Sequence, residues 1–195
     1  MILVLATRNP HKVSEIKAIL DAPGIEWRSA ADYPEVPVPV EDGATFAQNA
    51  VRKAVAWARA TAHWALADDS GLEVDALCGE PGVRSARYAG EDADDAANLR
   101  KLLIELEGET CREARFRCAL ALAAPDGQVR TVEGVCEGRL LTAPHGTGGF
   151  GYDPLFVPYG YEQTFAEMPP ELKNRISHRA RALEAARAAW SELLR

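Results

Sequence analysis

Residues 64–75 read WALADDSGLEVD, an apolar run that passes into two adjacent carboxylates and a Ser-Gly step. The apolar residues 64–67 predict a short buried strand, and Gly71 predicts a turn directly after it. Asp68 and Asp69 would then lie where the strand ends. Because α/β proteins bind ligands at strand ends, this stretch predicts both a sheet and a site at its edge.

Adjacent carboxylates are costly to bury, because like charges raise one another's pKa and need a cation or hydrogen bonds in compensation. Two interpretations stay open for the acidic pair, a solvated acidic loop and a metal site. The candidate metal ligands are Glu41, Asp68, Asp69 and Asp75. Carboxylate oxygens without nearby Cys or His favour Mg²⁺ or Mn²⁺ over zinc.

Toward the N-terminus, residues 2–6 predict a buried strand that leads through a polar loop, residues 7–12, into a helix. Free N–H groups and a partial positive charge at that helix N-terminus can hold a phosphate. Thr7 and Asn9 add side-chain donors, and Arg8, His11 and Lys12 add positive charge. A helix cap with solvated basic residues is the alternative. The loop lacks the Walker pattern, so ordinary P-loop chemistry is not predicted.

A second helix is predicted from Thr45 to about residue 61, with an alanine-rich apolar face. Thr45, Asn49 and Lys53 recur at steps of four, so they project from one face of this helix. They could present a hydroxyl, an amide and an ammonium group to a common ligand.

The remaining elements predict an α/β fold with a mixed sheet rather than a repeating βαβ array. They are a strand marked by Trp27 and residues 36–40, a helix over 94–107, a hairpin of 115–123 and 129–140 joined at Asp126-Gly127, and a last helix from Ser177 as N-cap to Leu194.

Composition narrows the class of protein. The chain has 195 residues, 47% of them hydrophobic, which fits one domain with a proper core, and its net charge of -7 argues against nonspecific binding to nucleic acid. Neither a signal peptide nor an apolar run of ~20 residues is present, so we expect a soluble cytoplasmic protein without a membrane partner. Four cysteines lack zinc-ligand spacing and are predicted to be reduced core thiols: Cys78, Cys111, Cys118 and Cys136.

Two further segments carry residues suited to nucleotide binding. Residues 146–154 read GTGGFGYDP, where Phe150 or Tyr152 could stack on a nucleobase, unless both rings turn into the core. Residues 173–181 read KNRISHRAR, a basic cluster at a predicted helix N-terminus. Because the helix dipole disfavours cations there, the cluster indicates an anionic or carbonyl-bearing partner, with a solvated basic face as the alternative.

Six motifs in this order closely resemble the XTP/dITP pyrophosphatase family over nearly the whole chain. They are TxNxxK at 7–12, EDGxTFxxNAxxKA at 41–54, ADDSGL at 67–72, PGVxSARY at 81–88, FGYD at 150–153 and SHR at 177–179. The resemblance implies a Mg²⁺-dependent house-cleaning enzyme that hydrolyses ITP, dITP and XTP to the monophosphate and pyrophosphate. It further implies an elongated mixed β-sheet flanked by helices, a single domain over 1–195 with two lobes around a central cleft, and a homodimer.

Carried over by position, the resemblance implies that Asp69 is the catalytic proton acceptor and, with Glu41, a metal ligand. Lys53 joins the expected substrate-binding residues because of its place on the polar helix face. The complete expected set of substrate-binding residues is Thr7, Arg8, Asn9, Pro10, His11, Lys12, Lys53, Ser70, Phe150, Gly151, Tyr152, Asp153, Lys173, His178 and Arg179.

The leading hypothesis is attack of water on the α-phosphorus, assisted by Mg²⁺, with Asp69 accepting the proton. Donors near His178 and Arg179 would favour a 6-oxo purine over adenine, whose amino group leaves a buried donor unpaired. Two alternatives are carried forward. One is a Maf-like pyrophosphatase that acts on other nucleotides, and the other is a nucleotide sensor without turnover.

Overall fold

The computed structural model describes residues 1–20 and 24–193, which form six strands and five α-helices. In chain order the elements are β1 (Ile2–Leu5), α1 (Pro10–Leu20), β2 (Glu26–Ser29), α2 (Phe46–Thr61), β3 (Trp64–Val74), α3 (Asp95–Glu105), β4 (Glu113–Ala123), β5 (Val129–Leu140), β6 (Phe156–Pro158), α4 (Pro170–Ile176) and α5 (His178–Ala189). The strands form one sheet in the order β2-β1-β3-β4-β5-β6. Strand β1 is parallel to β2 and β3, whereas β5 and β6 are antiparallel, so the predicted α/β class with a mixed sheet is confirmed.

Most elements agree with the sequence prediction, and five differences stand out, the first of which is that the short strand β6 was not predicted. β3 does not end at the acidic pair but runs through Gly71 to Val74, so the predicted turn there is wrong. Residues 36–40 form no strand, although Trp27 lies in β2, and α4 was not predicted. The last helix ends at Ala189, and the predicted end at Leu194 lies outside the described residues.

Helix α2 shows how the local sequence determines an element. Thr45 caps its N-terminus, with the side-chain oxygen accepting the backbone N–H of Gln48, and Ala62 ends it in a left-handed conformation at φ 54°. The buried face combines apolar side chains with two polar ones: Phe46, Asn49, Ala50, Lys53, Ala54, Trp57 and Ala58. Two polar residues on an otherwise apolar face require partners in the interior.

The chain divides into two compact units, and the boundaries at residues 69/70 and 117/118 fall within β3 and β4. Unit 1 comprises the described parts of Met1–Asp69, Cys118–Gly134 and Arg179–Arg195. Its core is formed by apolar residues of β1, β3, β4, α1 and α5, among them Leu5, Leu120 and Leu183, together with Trp190 directly after α5.

Unit 2 comprises Ser70–Arg117 and Val135–His178. Its core contains three packed phenylalanines, and the ring centroids of Phe116 and Phe156 lie 4.8 Å apart in an edge-on arrangement. Phe165 contacts both of these rings. Each unit therefore buries its own hydrophobic core.

The four cysteines are free thiols, but they differ in exposure. Cys118 and Cys136 are buried as predicted, whereas Cys78 and Cys111 are exposed, so the prediction of core thiols is wrong for those two. Among the described residues, no helix combines the length and the apolar character needed to cross a bilayer.

Candidate active site

Asp69 lies on β3 with its side chain almost completely buried and held from α2. The Nδ2 of Asn49 donates to its Oδ2 at 3.0 Å, and the Nζ of Lys53 donates to its Oδ1 at 3.2 Å. Asn49 and Lys53 are four residues apart on the buried face of α2, so one helix face supplies both donors. The carboxylate of Asp69 is therefore fixed in orientation by both of its oxygens.

Glu41 shares the same lysine, because its Oε1 lies 3.2 Å from Lys53 Nζ. Burial raises the pKa of Asp69, and the nearby Glu41 carboxylate raises it further. The Lys53 ammonium lowers it, but the pKa of Asp69 remains above its usual value. Burial alone would lower the pKa of Lys53, but the two carboxylates outweigh it and raise that pKa. Asp69 is thus a stronger base than an exposed aspartate, beside a lysine that keeps its charge.

The segment before α2 fixes the amide of Asn49. The backbone N–H of Gly43 donates to Asn49 Oδ1 at 2.8 Å, which directs Nδ2 toward Asp69. A Cβ at position 43 would lie 2.6 Å from that oxygen, so a larger residue here would displace the Asn49 amide. The predicted polar stripe of α2 therefore divides: Asn49 and Lys53 hold Asp69, and Thr45 caps the helix instead. Asn49 was absent from the expected site residues, although its spacing from Lys53 pointed to it.

Asp68, the neighbour of Asp69, lies in a separate buried ion-pair cluster. Its Oδ2 accepts hydrogen bonds from Nε and NH2 of Arg179 at 3.0 and 2.9 Å, and its Oδ1 contacts the Lys12 ammonium. Burial alone would raise the pKa of Asp68, but Arg179 and Lys12 hold it well below its usual range. The thiol of Cys118 lies 3.5 Å from Oδ2, and burial beside this charge raises the pKa of Cys118. Asp68 is therefore ionised at neutral pH and surrounded by cations.

Arg179 is 1% exposed, and the structure places its guanidinium between two carboxylates. NH1 donates to Glu15 of α1, while Nε and NH2 donate to Asp68. Burial alone would lower the pKa of Arg179, but Asp68 and Glu15 raise it. The three donor nitrogens thus face carboxylates of the protein, an arrangement that the basic run 173–181 gave no means of predicting.

The polar loop of residues 7–12 connects β1 to α1. Asn9 Oδ1 accepts the backbone N–H groups of His11 at 2.9 Å and Lys12 at 3.3 Å, and the Asn9 N–H donates to Thr7 Oγ1 at 3.1 Å. These first amides of α1 are therefore already hydrogen-bonded to Asn9, and the prediction that they are free for phosphate is wrong for these two. Arg8 is exposed, and its NH2 donates to the carbonyl of Val36 at 3.3 Å. Lys12 is a second cation of the loop, with its ammonium in contact with Asp68.

Pro10 takes the first position of α1, where its missing N–H costs nothing, and His11 follows on the exposed surface. Ser70 is half-buried on β3, directly after Asp69. In unit 2, His178 is buried with its ring stacked on Phe116, the centroids 4.7 Å apart and the planes inclined by 13°.

The segment 150–153 of unit 2 divides into a half-buried and a buried part. Phe150 is half-buried, whereas Tyr152 is buried and its hydroxyl donates to the carbonyl of Ser85 at 2.8 Å. Asp153 Oδ2 accepts from the Phe150 N–H at 2.9 Å and from Lys173 Nζ at 2.7 Å. Lys173 Nζ also lies 4.9 Å from the centroid of the Phe150 ring, a cation–π contact. For Tyr152 the structure favours the core interpretation, and Phe150 remains the ring suited to stacking.

Among the four candidate metal ligands, Glu41 and Asp69 share a partner. Asp68 faces Arg179 and Asp75 faces Arg115 at 2.8 Å, whereas Glu41 and Asp69 share Lys53. Within the described ranges no group of three or more His, Cys, Asp or Glu residues could hold a metal by itself. Mg²⁺ is commonly held by one or two carboxylates with phosphate oxygens and water, so the pair Glu41 and Asp69 fits a magnesium ion bound together with a nucleotide.

The chain is similar to a known protein family, to curated enzymes and to solved structures. The sequence profile of the Ham1 family matches residues 3–189. A dITP/XTP pyrophosphatase of Desulforamulus reducens is 55% identical over 95% of this chain and 94% of its own length. One of Geobacillus kaustophilus is 50% identical over 98% and 95% of the two chains. The solved structure of a HAM1 protein from Coxiella burnetii has a TM-score of 0.90 and 40% identity, and covers 98% of this chain and 99% of that one.

Proposed function

The chain belongs to the Ham1 family, and on this basis we propose that it hydrolyses dITP, ITP and XTP to the nucleoside monophosphate and pyrophosphate, clearing aberrant purine nucleotides from the pool. The family resemblance noted in the sequence motifs is thereby confirmed. Within the site, the observation that carries the proposal is a buried aspartate, Asp69, whose pKa is raised beside a second carboxylate. Such a group is suited to take a proton at neutral pH.

In the proposed reaction, Asp69 accepts the proton of the water that attacks the α-phosphorus. Asn49 and Lys53 keep the carboxylate in one orientation, which preserves the alignment that proton transfer requires. Burial and the nearby charge of Glu41 raise the pKa of Asp69, which increases its strength as a base. The charge of Lys53 limits that increase and favours an anionic substrate close to the carboxylates.

Glu41 and Asp69 are the proposed ligands of a divalent cation, Mg²⁺ with Mn²⁺ as a substitute. When bound, this ion would neutralise charge on the triphosphate and on the departing pyrophosphate. The support from the structure is that both carboxylates converge on one lysine and are repelled by each other, which a further cation relieves.

The proposed phosphate-binding residues are those of the loop 7–12. Arg8, His11 and Lys12 supply positive charge, and the hydroxyl of Thr7 and the amide of Asn9 supply polar groups. Pro10 fixes the start of α1 behind them.

The proposed base-binding residues lie in unit 2. Phe150 would stack on the purine, and Lys173, held by Asp153, would keep that ring in place. Ser70, Gly151 and His178 are the further proposed contacts. Tyr152 and Arg179 would act indirectly, because both side chains are buried and bound to other parts of the protein. We also propose a cytoplasmic homodimer, as the resemblance implies, and sedimentation velocity measures the oligomeric state.

A kinetic panel tests reaction and base selectivity together. With Mg²⁺ present, we expect kcat/KM for ITP and XTP to exceed that for ATP by at least about 10²-fold, because a site built for a 6-oxo purine leaves a polar group unpaired with adenine. GTP belongs in the same panel, because guanine shares the 6-oxo group and its turnover measures how far position 2 of the base contributes to selectivity. Phosphorus NMR should show pyrophosphate and the monophosphate as products. Release of orthophosphate would contradict the proposed cleavage. Preference for dTTP or UTP would favour a Maf-like enzyme, and intact ITP would favour a nucleotide sensor.

Lys12→Ala is expected to raise KM for ITP about tenfold with a smaller change in kcat, because it removes a cation from the proposed phosphate site. Lys17→Ala is the matched control, since Lys17 lies on the same helix with its side chain in solvent, and it should leave KM unchanged. Initial-rate measurements over a range of ITP concentrations distinguish the two variants. An unchanged KM in Lys12→Ala would show that the loop does not bind the triphosphate.

A further inference from the structure

The tip of the glycine-rich segment 146–154, here called the aromatic loop, is held by two carboxylates of unit 2. The N–H of Phe150 donates to Asp153 Oδ2 at 2.9 Å, within the loop itself. The next N–H, that of Gly151, donates to Asp95 Oδ2 at 2.7 Å, a residue 56 positions away on α3. Gly151 has φ +61°, in the left-handed region that favours glycine, so its backbone has many alternatives unless something fixes it.

The side chain of Asp95 can make this contact because another residue caps the N-terminus of α3. Asp94 caps α3, accepting the N–H three residues on at 2.7 Å, and Asp95 is the first helical residue. One turn later, the side chain of Asn98 accepts the N–H of Ala89 at 2.8 Å and donates to the carbonyl of Ala86 at 3.1 Å. The N-terminal part of α3 therefore carries anchors for two loops in addition to its own cap.

We infer that Asp95 is a positioning residue for nucleotide binding. It holds the Gly151 amide and, through the backbone, the neighbouring Phe150 ring. The inference rests on the proposed function, in which Phe150 stacks on the base. The Nζ of Lys173 lies over the face of the Phe150 ring, 4.9 Å from its centroid. Phe150 is therefore held through its ring and through two backbone N–H groups, its own and that of Gly151. Losing the Asp95 contact leaves the loop tip mobile before binding, and the entropy lost on ordering it then weakens nucleotide affinity.

Asp95→Ala is the direct test, with two readouts on the full chain. Amide hydrogen exchange at Gly151 should accelerate about tenfold, because the carboxylate acceptor is gone. KM for ITP should rise about fivefold to tenfold while kcat stays within about twofold, because the loop is expected to affect binding and not proton transfer. Asp95→Asn retains an acceptor oxygen in the same place and should restore both exchange and KM to near the wild-type values.

Asp94→Ala is the matched control, since it removes the neighbouring carboxylate and weakens the helix without touching the loop. We expect a lower melting temperature, by about 2–4 °C, with KM and Gly151 exchange unchanged. If Asp94→Ala raised KM as much as Asp95→Ala does, the effect would be one of helix stability and the inference would be wrong.

The remaining outcomes are equally decisive. Unchanged exchange at Gly151 in Asp95→Ala would disprove the anchor, and faster exchange with an unchanged KM would disprove its role in nucleotide binding. Absence of ITP turnover by the wild-type protein would contradict the proposed function, and the exchange measurement would still decide whether Asp95 anchors the loop.

Discussion

An Asp69→Asn variant is expected to remain folded and to lose roughly 10³-fold of kcat for ITP, the scale of a lost general base. Asparagine has the shape of aspartate but cannot accept the proton of the attacking water at neutral pH. The variant also leaves Glu41 as the remaining proposed carboxylate ligand of the metal. The loss should therefore appear mainly in kcat, which steady-state kinetics with saturating Mg²⁺ would measure.

The fold of Asp69→Asn should survive because ionised Asp69 opposes folding. Burial raises the pKa of this carboxyl above its unfolded value, so ionising it costs more free energy in the native protein than in the unfolded chain. A neutral amide avoids that cost but takes one of two carboxylates from Lys53, which keeps Glu41 as its partner, so the melting temperature should stay close to that of the wild type. Thermal unfolding followed by circular dichroism checks this and separates lost chemistry from lost structure.

Glu73→Gln is the matched control for Asp69→Asn, since it makes the same change of carboxylate to amide on the same strand. Glu73 forms ion pairs with Arg117 at 2.9 Å and with Arg115 at 3.9 Å, and none of these three residues is in the proposed site. Its activity should stay within about twofold of wild type, because a partly exposed ion pair contributes little. Activity of Asp69→Asn close to that of Glu73→Gln would remove Asp69 from the mechanism.

The elements that could be predicted best from the sequence are those that depend on a local pattern of residues. Helix α2 and strands β4 and β5 follow from local patterns in their own sequences, and their bounds agree with the prediction to within two residues. The course of β3 depends on distant residues instead. Its acidic pair can continue a buried strand only because cations arrive from α1 and from Arg179, which is 111 residues beyond Asp68. No local pattern contains that information.

The site was predictable to a similar extent. The four-residue spacing placed Thr45, Asn49 and Lys53 on one helix face toward a common ligand. In the structure Asn49 and Lys53 instead share a protein partner, Asp69, and Thr45 caps the helix. The distinction between Asp68 and Asp69 could not come from two identical adjacent residues. The structure makes it, because successive residues of a strand point to opposite faces: Asp68 meets Arg179 and Asp69 meets Lys53.

Arg179→Met is expected to destabilise the protein by about 3–5 kcal/mol, because removing one partner of a buried ion pair leaves the other charge uncompensated. Both side chains of the pair are almost completely inaccessible to solvent, at 1% for Arg179 and 0% for Asp68. Methionine keeps much of the volume but none of the hydrogen bonds. Lys12 would remain as a cation beside Asp68, but it contacts only the other oxygen. Urea denaturation followed by circular dichroism measures the loss.

Arg181→Met is the matched control on the same helix, since Arg181 is exposed and its replacement should change the free energy of unfolding by less than about 0.5 kcal/mol. The double variant Asp68→Asn/Arg179→Met tests the cause. If the cost of Arg179→Met arises from an uncompensated charge on Asp68, removing that charge should recover a large part of the stability. If the double variant were less stable than Arg179→Met by the full cost of Asp68→Asn alone, the two residues would be energetically independent, and Arg179 would stabilise the fold through Glu15 and packing instead.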